Sequence, residues 1–196
     1  MHPFTTGLVL AAGGSSRLGR PKQLLDYQGR TLLDATLDMA RSCGFDQLIV
    51  ALGGAGSEVR ATVDLSGCAI VDNVHYTSGC SSSIVAALAA VDERAEGIVL
   101  LLGDQPGVDP ASVDALRAAC ESTDAPLAVC RYDDGWGHPF WFTRSVFDDL
   151  AALHGDKAVW KIIESGRYPV AEARIRGSVP IDVDTWSDYE LLLELS

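Results

Sequence analysis

The sequence predicts an α/β fold: a three-layer, doubly wound and mostly parallel sheet. Two runs of residues, GLVLAA (7–12) and GIVLLL (97–102), are continuously apolar, as is typical of strands that are buried on both faces of a parallel sheet. Short apolar runs alternate with helical patterns along the chain, and this alternation favours right-handed crossovers. Because the 196 residues contain no internal repeat and no linker rich in Pro or Gly, we expect one domain over residues 1–196.

Strands and helices are predicted from the period of the apolar residues. The predicted strands are Gly7–Ala12, Gln47–Gly53, Ala69–Asp72, Gly97–Leu102, Leu127–Arg131 and Pro139–Phe142. The predicted helices are Thr31–Ser42, Ser82–Val91, Pro110–Cys120, Arg144–Leu153, Asp156–Ser165 and Ser187–Leu195. Pro110 suits a first helical turn and Asp109 suits the N-cap before it, so we expect the third helix to begin there.

Charge and cysteine content restrict the possible functions. The net charge of −12 and the pI near 4.6 weigh against binding of nucleic acid or an anionic membrane. No apolar run reaches the ~20 residues that span a bilayer, and the N-terminal stretch lacks the basic region of a signal peptide. Five cysteines without a C-x-x-C pair argue against a disulfide framework and a zinc site. We expect a cytoplasmic protein, and, since nothing suggests an obligate dimer, a monomer.

Two loops of different composition are predicted to meet at one edge of the sheet. The loop after residues 7–12 carries glycines and cations, and the loop after residues 97–102 carries Asp104. Both loops leave the carboxyl ends of predicted parallel strands, where α/β sheets bind their ligands. The sequence therefore predicts a ligand site that these two loops share.

The glycine-rich stretch VLAAGGSSRLGRPKQLL (residues 9–25) fits neither of two common phosphate-binding fingerprints. The dinucleotide pattern G-x-G-x-x-G needs a glycine where Ser15 stands, and Arg17 interrupts the rest. A Walker A loop, G-x-x-x-x-G-K-[ST], needs Lys and a hydroxyl residue after Gly19, but the second of these positions is Pro21. Pro21 offers neither a hydroxyl for magnesium nor an N–H for phosphate. The stretch therefore argues against both a NAD-binding loop and a P-loop.

The same stretch matches the pattern L-A-A-G-x-x-x-R-x-G-x-x-K and resembles the signature loop of the MobA-like nucleotidyltransferases. The matching residues are Leu10, Ala11, Ala12, Gly13, Arg17, Gly19 and Lys22. The resemblance implies a Rossmann-like nucleotidyltransferase fold and an enzyme that joins an NTP to a phosphorylated acceptor and releases pyrophosphate. Amides at Gly13 and Gly14 would approach the triphosphate, while the catalytic cations Arg17 and Lys22 would stabilise the departing pyrophosphate. The alternative is a glycine-rich turn with solvated cations.

Two acidic motifs resemble the metal-binding elements of the same family. In GDQP, Asp104 is the candidate Mg²⁺ ligand and a catalytic residue, since Mg²⁺ prefers one or two carboxylates together with substrate phosphates. In DVDT near the C-terminus, Asp184 is the candidate second ligand and Asp182 the fallback. The alternatives are a turn former at Asp104 and a polar turn that caps the last helix. Asp188 is expected to be an acid in the first turn of that helix.

Further motifs resemble family elements that contact the two substrates. Ser82, in the hydroxyl- and thiol-rich start of a predicted helix, falls within a nucleotide-binding pattern, with helix capping as the alternative. His138 of GHP would contact the pterin-side substrate, or it caps a turn. Lys157 and Lys161, four residues apart on one helix face, would clamp an acceptor phosphate, or they are solvated. The nucleotide-binding residues implied by the resemblance are Leu10, Ala11, Ala12, Gly13, Gly14, Ser15, Arg17, Lys22, Ser82 and Gly103.

GDQP resembles most the cytidylyltransferase branch of the family. The resemblance therefore implies transfer of CMP from CTP to a molybdopterin-type phosphate, with Mg²⁺ as cofactor and molybdoenzyme maturation proteins as partners. Three alternatives stay open at this point. In the first, the nucleotide is GTP or another NTP, with a different phosphorylated acceptor. In the second, the protein is an oxidoreductase, a label that some proteins with this pattern carry. In the third, it binds a nucleotide without turnover.

Overall fold

A seven-stranded sheet organises the chain in the computed structural model, which describes residues 3–155 and 157–195. In the sheet, whose order is β5-β4-β1-β6-β8-β7-β9, β8 runs antiparallel to β6 and β7 and the other pairs are parallel. β2 and β3 form a separate antiparallel ribbon. The predicted mostly parallel sheet is thus confirmed. The strands are β1 (Thr5–Ala11), β2 (Asp26–Tyr27), β3 (Arg30–Thr31), β4 (Gln47–Leu52), β5 (Cys68–Asp72), β6 (Gly97–Leu102), β7 (Leu127–Arg131), β8 (Trp136–Thr143) and β9 (Val170–Arg174).

Helices cover both faces of the sheet and complete three layers. One apolar cluster joins α1, α2 and α4 to one face, and a second joins α3, α5 and α6 to the other. Leu8 and Val9 of β1 belong to different clusters and are both 0% exposed, because successive side chains of a strand point to opposite faces. The helices are α1 (Leu32–Ser42), α2 (Gly56–Thr62), α3 (Cys80–Leu88), α4 (Pro110–Thr123), α5 (Phe147–Ala151), α6 (Ala158–Glu164) and α7 (Trp186–Glu194).

The six predicted strands are all present, and β6 and β7 match their predicted bounds residue for residue. The sequence does not predict β9, because this edge strand alternates buried alanines with the exposed charges Glu172 and Arg174 and lacks an apolar run. It does not predict the short helix α2 either. β8 begins at Trp136, three residues before the predicted start.

The predicted helices are found with shifted ends. The N-cap of α4 is confirmed, since Asp109 Oδ1 accepts a hydrogen bond from the Ala111 N–H at 2.9 Å. The predicted helix 144–153 begins with a 3₁₀ turn, Arg144–Val146, before α5. The predicted helix Asp156–Ser165 starts at a residue outside the described part of the chain, and α6 covers its middle.

The segment before α7 returns to the first thirty residues of the chain. Val183 belongs to an apolar cluster with Leu18, which lies in the glycine-rich stretch. α7 begins with a capping box in which Thr185 Oγ1 accepts from the Asp188 N–H (3.2 Å) and Asp188 Oδ2 accepts from the Thr185 N–H (2.7 Å). Asp188 is thus the first-turn helix acid that the sequence predicts. Packing on one side and capping on the other place Asp184 next to the glycine-rich stretch.

None of the helices among residues 3–155 and 157–195 has both the length and the apolar composition that crossing a membrane requires. Cys43, Cys120 and Cys130 are buried. Burial raises the pKa of Cys43 to about 11 and the pKa values of Cys120 and Cys130 to about 12. These three thiols therefore stay protonated near neutral pH and act as small apolar side chains.

His138 belongs to the core on the α3, α5 and α6 side of the sheet. Its ring lies 4.1 Å from the ring of Phe140, and Phe140 packs edge-on against Trp160 at 5.1 Å between ring centroids. Burial lowers the pKa of His138 to about 3. The folded chain therefore keeps this imidazole neutral at pH values where the unfolded chain protonates it.

His138 is expected to make the fold sensitive to mild acid. The unfolded chain takes up a proton on this histidine below a pH of about 6.5, whereas the folded chain does so only near 3, so stability is lost as the pH falls. From pH 7 to 5.5 this difference costs wild type about 1 kcal/mol more than the His138→Gln variant. Urea unfolding at both pH values measures it. An equal pH dependence in wild type and His138→Gln would contradict the argument.

Candidate functional site

A cavity of about 560 Å³ opens at the carboxyl ends of β1 and β6, the edge at which the sequence predicts a ligand. Most of the candidate nucleotide, metal and catalytic residues line it: Leu10, Ala11, Ala12, Gly13, Gly14, Ser15, Arg17, Lys22, Gly103, Asp104 and Asp184. Lys157 and Asp182 line it too, whereas Ser82, His138 and Lys161 do not. Cys80 and Ser83, from the hydroxyl- and thiol-rich helix start that the sequence analysis describes, line the cavity as well. The cavity wall also contains residues that the sequence does not single out: Ser16, Gln23, Tyr76, Gly79 and Leu102.

Hydrogen bonds between its two ends shape the glycine-rich loop. The side-chain oxygen of Ser15, whose φ is 49°, accepts a hydrogen bond from the Lys22 backbone N–H at 2.9 Å. Gln23 is 3% exposed and donates from Nε2 to the carbonyl oxygens of the last β1 residue (2.7 Å) and of Gly13 (3.2 Å). These bonds close the loop into a turn. Gly13 and Gly14 remain exposed at the cavity, which suits a backbone nest for an anion.

Three segments that are far apart in sequence meet at the ammonium group of Lys22. Its Nζ donates to Asp104 Oδ2 and, at 2.8 Å, to Asp184 Oδ1. Arg17 Nη2 donates to the other carboxylate oxygen of Asp184 at 2.7 Å. The side chains of Lys22 and Asp104 are 13% and 11% exposed, while that of Asp184 is 43% exposed. The cluster is therefore buried at Lys22 and Asp104 and reaches solvent through Asp184 and Arg17.

The charges of this cluster hold one another in the ionised form. Burial alone would lower the pKa of Lys22, but the carboxylates of Asp104 and Asp184 outweigh it and raise the pKa of Lys22 above its usual value. Burial would raise the pKa of Asp184, but Lys22 and Arg17 outweigh it and lower the pKa of Asp184. Removing one partner would leave an uncompensated charge in a largely buried place, which is costly.

A third carboxylate, Asp182, lines the same cavity. Burial, together with the charges of Asp104 and Asp184, raises the pKa of Asp182 to about 6. Gln105, which is 1% exposed, donates from Nε2 to Asp182 Oδ1 and, at 2.9 Å, to the carbonyl oxygen of Pro180. The Gln105 amide thus ties the segment before α7 to the loop after β6 and places Asp182 and Asp184 beside Asp104.

The two carboxylates that share the Lys22 ammonium fit a divalent cation whose remaining ligands come from the substrate. Within residues 3–155 and 157–195, no group of three or more His, Cys, Asp or Glu side chains is placed to hold a metal alone. Asp104 and Asp184 nevertheless converge on one cation, the ammonium of Lys22. Mg²⁺ needs no more than one or two carboxylates when phosphate oxygens complete its ligands. Asp104 and Asp184 would hold such an ion once Lys22 moves to the phosphates.

The serine-rich start of α3 presents Ser83, and not Ser82, to the cavity. Ser82 Oγ donates to the carbonyl oxygen of Gly79 (2.7 Å) and accepts from Asn73 Nδ2 (2.8 Å). Asn73 Nδ2 also donates to Ser83 Oγ at 2.9 Å. Ser82 therefore joins the turn before α3 to the helix itself, but it forms no side-chain N-cap hydrogen bond, since the N-cap of α3 is Gly79. Ser83 is the hydroxyl residue of this pair at the cavity.

Of the three candidate acceptor residues, Lys157 is the one that lines the cavity. Lys157 is the N-cap of α6, whereas Lys161 lies one turn further on and is exposed. His138 packs on Phe140 and does not line the cavity. The two lysines therefore do not form a clamp on this cavity in the structure.

Sequence reasoning misses three residues that shape the site: Gln23, Gln105 and Tyr76. Gln23 directly follows Lys22 of the loop pattern, and Gln105 lies inside GDQP, so each stands within a motif that had already been singled out. A signal for both was available, since a glutamine next to a binding motif can hold backbone carbonyls. For Tyr76 the sequence offers no such signal, because the glycines that surround it come from two other loops.

Comparison with known proteins gives a family model and curated relatives. The model of the MobA-like NTP transferase domain matches residues 7–172. The molybdenum cofactor cytidylyltransferase of Escherichia coli strain K12 is 33% identical over 184 residues, 93% of this chain and 92% of that protein. Nicotine blue oxidoreductase of Paenarthrobacter nicotinovorans is 36% identical over 148 residues, 70% of each chain. The purine catabolism protein PucB of Bacillus subtilis is 27% identical over 97% of this chain and 96% of that protein.

Solved structures from mycobacteria share the fold over the full length of the chain. A homologue of the Mycobacterium tuberculosis protein Rv0371c, from Mycobacterium sp. strain JC1, is 56% identical with a TM-score of 0.92 and covers 100% of this chain and 98% of that chain. Rv0371c of M. tuberculosis H37Rv in complex with manganese is 52% identical with a TM-score of 0.86, covering 98% of this chain and 99% of that chain. A divalent metal therefore binds a protein that is similar to this one over nearly its whole length.

Lys22→Met is expected to convert the ion cluster into a better site for a divalent cation. The change keeps most of the apolar stem but leaves Asp104 and Asp184 without their shared ammonium, so the variant should lose about 1–3 kcal/mol of stability without metal. Mn²⁺ should stabilise the variant more than wild type, because the ion replaces the missing charge. Thermal unfolding with and without Mn²⁺ measures both effects. The exposed Lys161 serves as control, as Lys161→Met should respond to Mn²⁺ like wild type; equal responses of wild type and Lys22→Met would contradict the assignment.

Gln105→Met is expected to loosen the segment before α7. The variant loses the hydrogen bonds to Pro180 and Asp182 and should be less stable by about 1–3 kcal/mol, with faster amide hydrogen exchange at residues 181–184. Gln47 is a matched control, because its Nε2 also donates to a backbone carbonyl, that of Ala90, at 2.9 Å. Gln47→Met should cost stability without changing exchange at residues 181–184. If amide exchange in the segment before α7 rose equally in both variants, the hydrogen bonds of Gln105 would not be what holds this segment.

Proposed function

We propose that this chain, which belongs to the MobA-like NTP transferase family, transfers CMP from CTP to the phosphate of a pterin-type acceptor and releases pyrophosphate. The family is one of nucleotidyltransferases, so transfer from an NTP is its general chemistry. The choice of CTP and of the acceptor is the specific part of the proposal.

The observation that carries the proposal is the meeting of Lys22, Asp104 and Asp184 beside the glycine-rich loop. Nucleotidyl transfer needs a place where two phosphate groups approach each other despite their like charges. The cavity offers backbone amides at Gly13 and Gly14, the two loop cations Arg17 and Lys22, and the carboxylates of Asp104 and Asp184, which converge on Lys22. This set of groups suits an NTP with its metal ion and has no counterpart in a dinucleotide-binding loop.

The residues of the cavity have separate roles in the proposed reaction. An oxygen of the acceptor phosphate attacks the α-phosphorus of CTP, and the bond from this phosphorus to the oxygen bridging to the β-phosphate breaks, so pyrophosphate leaves. The loop amides hold the triphosphate, and Arg17 with Lys22 stabilises the charge on the leaving group. Mg²⁺ or Mn²⁺, bound by Asp104 and Asp184, would supply further neutralisation of the phosphates. No protein base is required, since the attacking oxygen is already anionic near neutral pH.

Two observations support CTP and a pterin-type acceptor. The GDQP motif at residues 103–106 resembles the cytidylyltransferase branch, and the relative with that name from E. coli is similar over nearly the whole chain. Lys157 is the candidate acceptor residue with a place on the cavity wall. His138 and Lys161 do not line the cavity. Maturation proteins of molybdoenzymes are the partners that this activity implies, and Mg²⁺ is its proposed cofactor.

A second candidate function is an oxidoreductase, favoured by the relative named nicotine blue oxidoreductase. Such an enzyme would bind a nicotinamide nucleotide and oxidise it. Thermal-shift measurements separate the transferase from the oxidoreductase. They are recorded with CTP, GTP, ATP and NADPH in turn, each with and without Mg²⁺. A nucleotide at about 100 times its Kd adds roughly 2.7 kcal/mol and raises the Tm by about 5–11 °C in a chain of this size.

We expect the largest shift with CTP and Mg²⁺ together, and we expect Asp104→Asn to abolish the part that depends on Mg²⁺. The variant removes a carboxylate that would bind the ion but keeps the shape of the side chain. It should also reduce pyrophosphate release by a factor of about 10² or more, since it removes charge stabilisation from the reacting phosphates. Undiminished pyrophosphate release by Asp104→Asn would refute the mechanism. A larger thermal shift with GTP than with CTP would identify GTP as the substrate nucleotide. A shift with NADPH alone would favour the oxidoreductase.

A further inference from the structure

Tyr76 occupies a slot that two glycines, Gly53 and Gly54, leave open. It begins the 3₁₀ turn Tyr76–Ser78 and lines the cavity next to the glycine-rich loop. A Cβ atom added to Gly54 would lie 2.6 Å from the Tyr76 hydroxyl oxygen, and one added to Gly53 would lie 2.9 Å from Tyr76 Cβ. A Cβ atom on Gly14 would lie 3.7 Å from Tyr76 Cε2. Side chains at Gly53 and Gly54 would thus displace the ring.

The slot lies on the side of the loop opposite to the ion cluster. Gly53 and Gly54 follow β4, and Asp104 follows β6, while β4 and β6 are the two neighbours of β1 in the sheet. A nucleotide whose phosphates lie on the β1 loop with the α-phosphate beside Asp104 therefore extends its nucleoside toward β4. The ring of Tyr76 lines the cavity on that side.

We propose that Tyr76 is the aromatic wall against which the nucleobase of the substrate packs, an inference that rests on the proposed function. The ring is only half-buried, and within the described residues its hydroxyl group forms no hydrogen bond, so the slot holds the ring by shape. Aromatic rings contribute to binding of any base, because every base has a π-face. Tyr76 thus supplies affinity for the nucleoside, and the choice between CTP and GTP depends on other groups.

The experiment compares CTP with inorganic tripolyphosphate, which carries the phosphates without a base. Wild type, Tyr76→Ala and Tyr76→Phe are titrated with each probe in the presence of Mg²⁺. We expect Tyr76→Ala to weaken CTP binding by about tenfold or more, in line with the usual contribution of base–aromatic stacking. Its affinity for tripolyphosphate should stay within about twofold of wild type, and Tyr76→Phe should bind both probes like wild type. The control variant is Val74→Ala, at an exposed residue two positions before Tyr76. It should bind both probes like wild type.

A spectroscopic readout reports on the ring itself. The H5 and H6 protons of bound CTP should move upfield in wild type and in Tyr76→Phe, because they lie over an aromatic face, and should not do so in Tyr76→Ala. Equal loss of both probes in Tyr76→Ala would overturn the inference and make Tyr76 a support of the phosphate loop. Unchanged CTP binding in Tyr76→Ala would overturn the inference about Tyr76 and leave the proposed function standing. Failure of wild type to bind either probe would overturn the proposed function as well.

Discussion

The shared ammonium of Lys22 is the constraint on which the rest of the site depends. Lys22 lies in the loop after β1, and its ammonium joins this loop to the loop after β6 and to the segment before α7. Its partners Asp104 and Asp184 follow it by 82 and 162 residues in the sequence. Each of these segments is held by a further contact of its own: Gln23 for the first loop and Gln105 for the other two. The carboxylates of Asp104 and Asp184 would repel each other in this largely buried place. The ammonium between them therefore allows the three segments to come together.

The same interaction determines how a substrate would enter. The two cations of the loop, Arg17 and Lys22, are engaged with carboxylates of the chain, in a protein whose net charge is −12. A triphosphate must compete with Asp104 and Asp184 for these cations. A divalent ion that takes over the carboxylates frees both cations for the phosphates. Under the proposed function, metal and nucleotide therefore favour each other through an exchange of ionic partners, without a change of fold.

The central part of the fold and the charged part of the site could be predicted from the sequence, because each has a local signature. Buried parallel strands have continuous apolar runs, and Lys22, Asp104 and Asp184 lie in recognisable motifs at strand or helix ends. The rest depends on contacts between distant residues. Asn73 donates to both Ser82 and Ser83, and only the fold shows that Ser83 is the one at the cavity. The ring of His138 packs on Phe140, a contact that forms only on folding. β9 lacks an apolar run because its residues alternate between buried alanines and exposed charges.

The order of Lys22, Asp104 and Asp184 along the chain is also the order in which the ribosome synthesises them. A ribosome releases the glycine-rich loop first and Asp104 later, but the carboxylate that shares the Lys22 ammonium follows β9 and immediately precedes the capping box of α7. Until that segment has emerged, a nascent chain holds the cations without their second anion and lacks the apolar cover that Val183 gives to Leu18. The site is therefore complete only after Asp184 has been synthesised, and a chain cut short before Val183 would lack the second carboxylate on which the proposed chemistry depends.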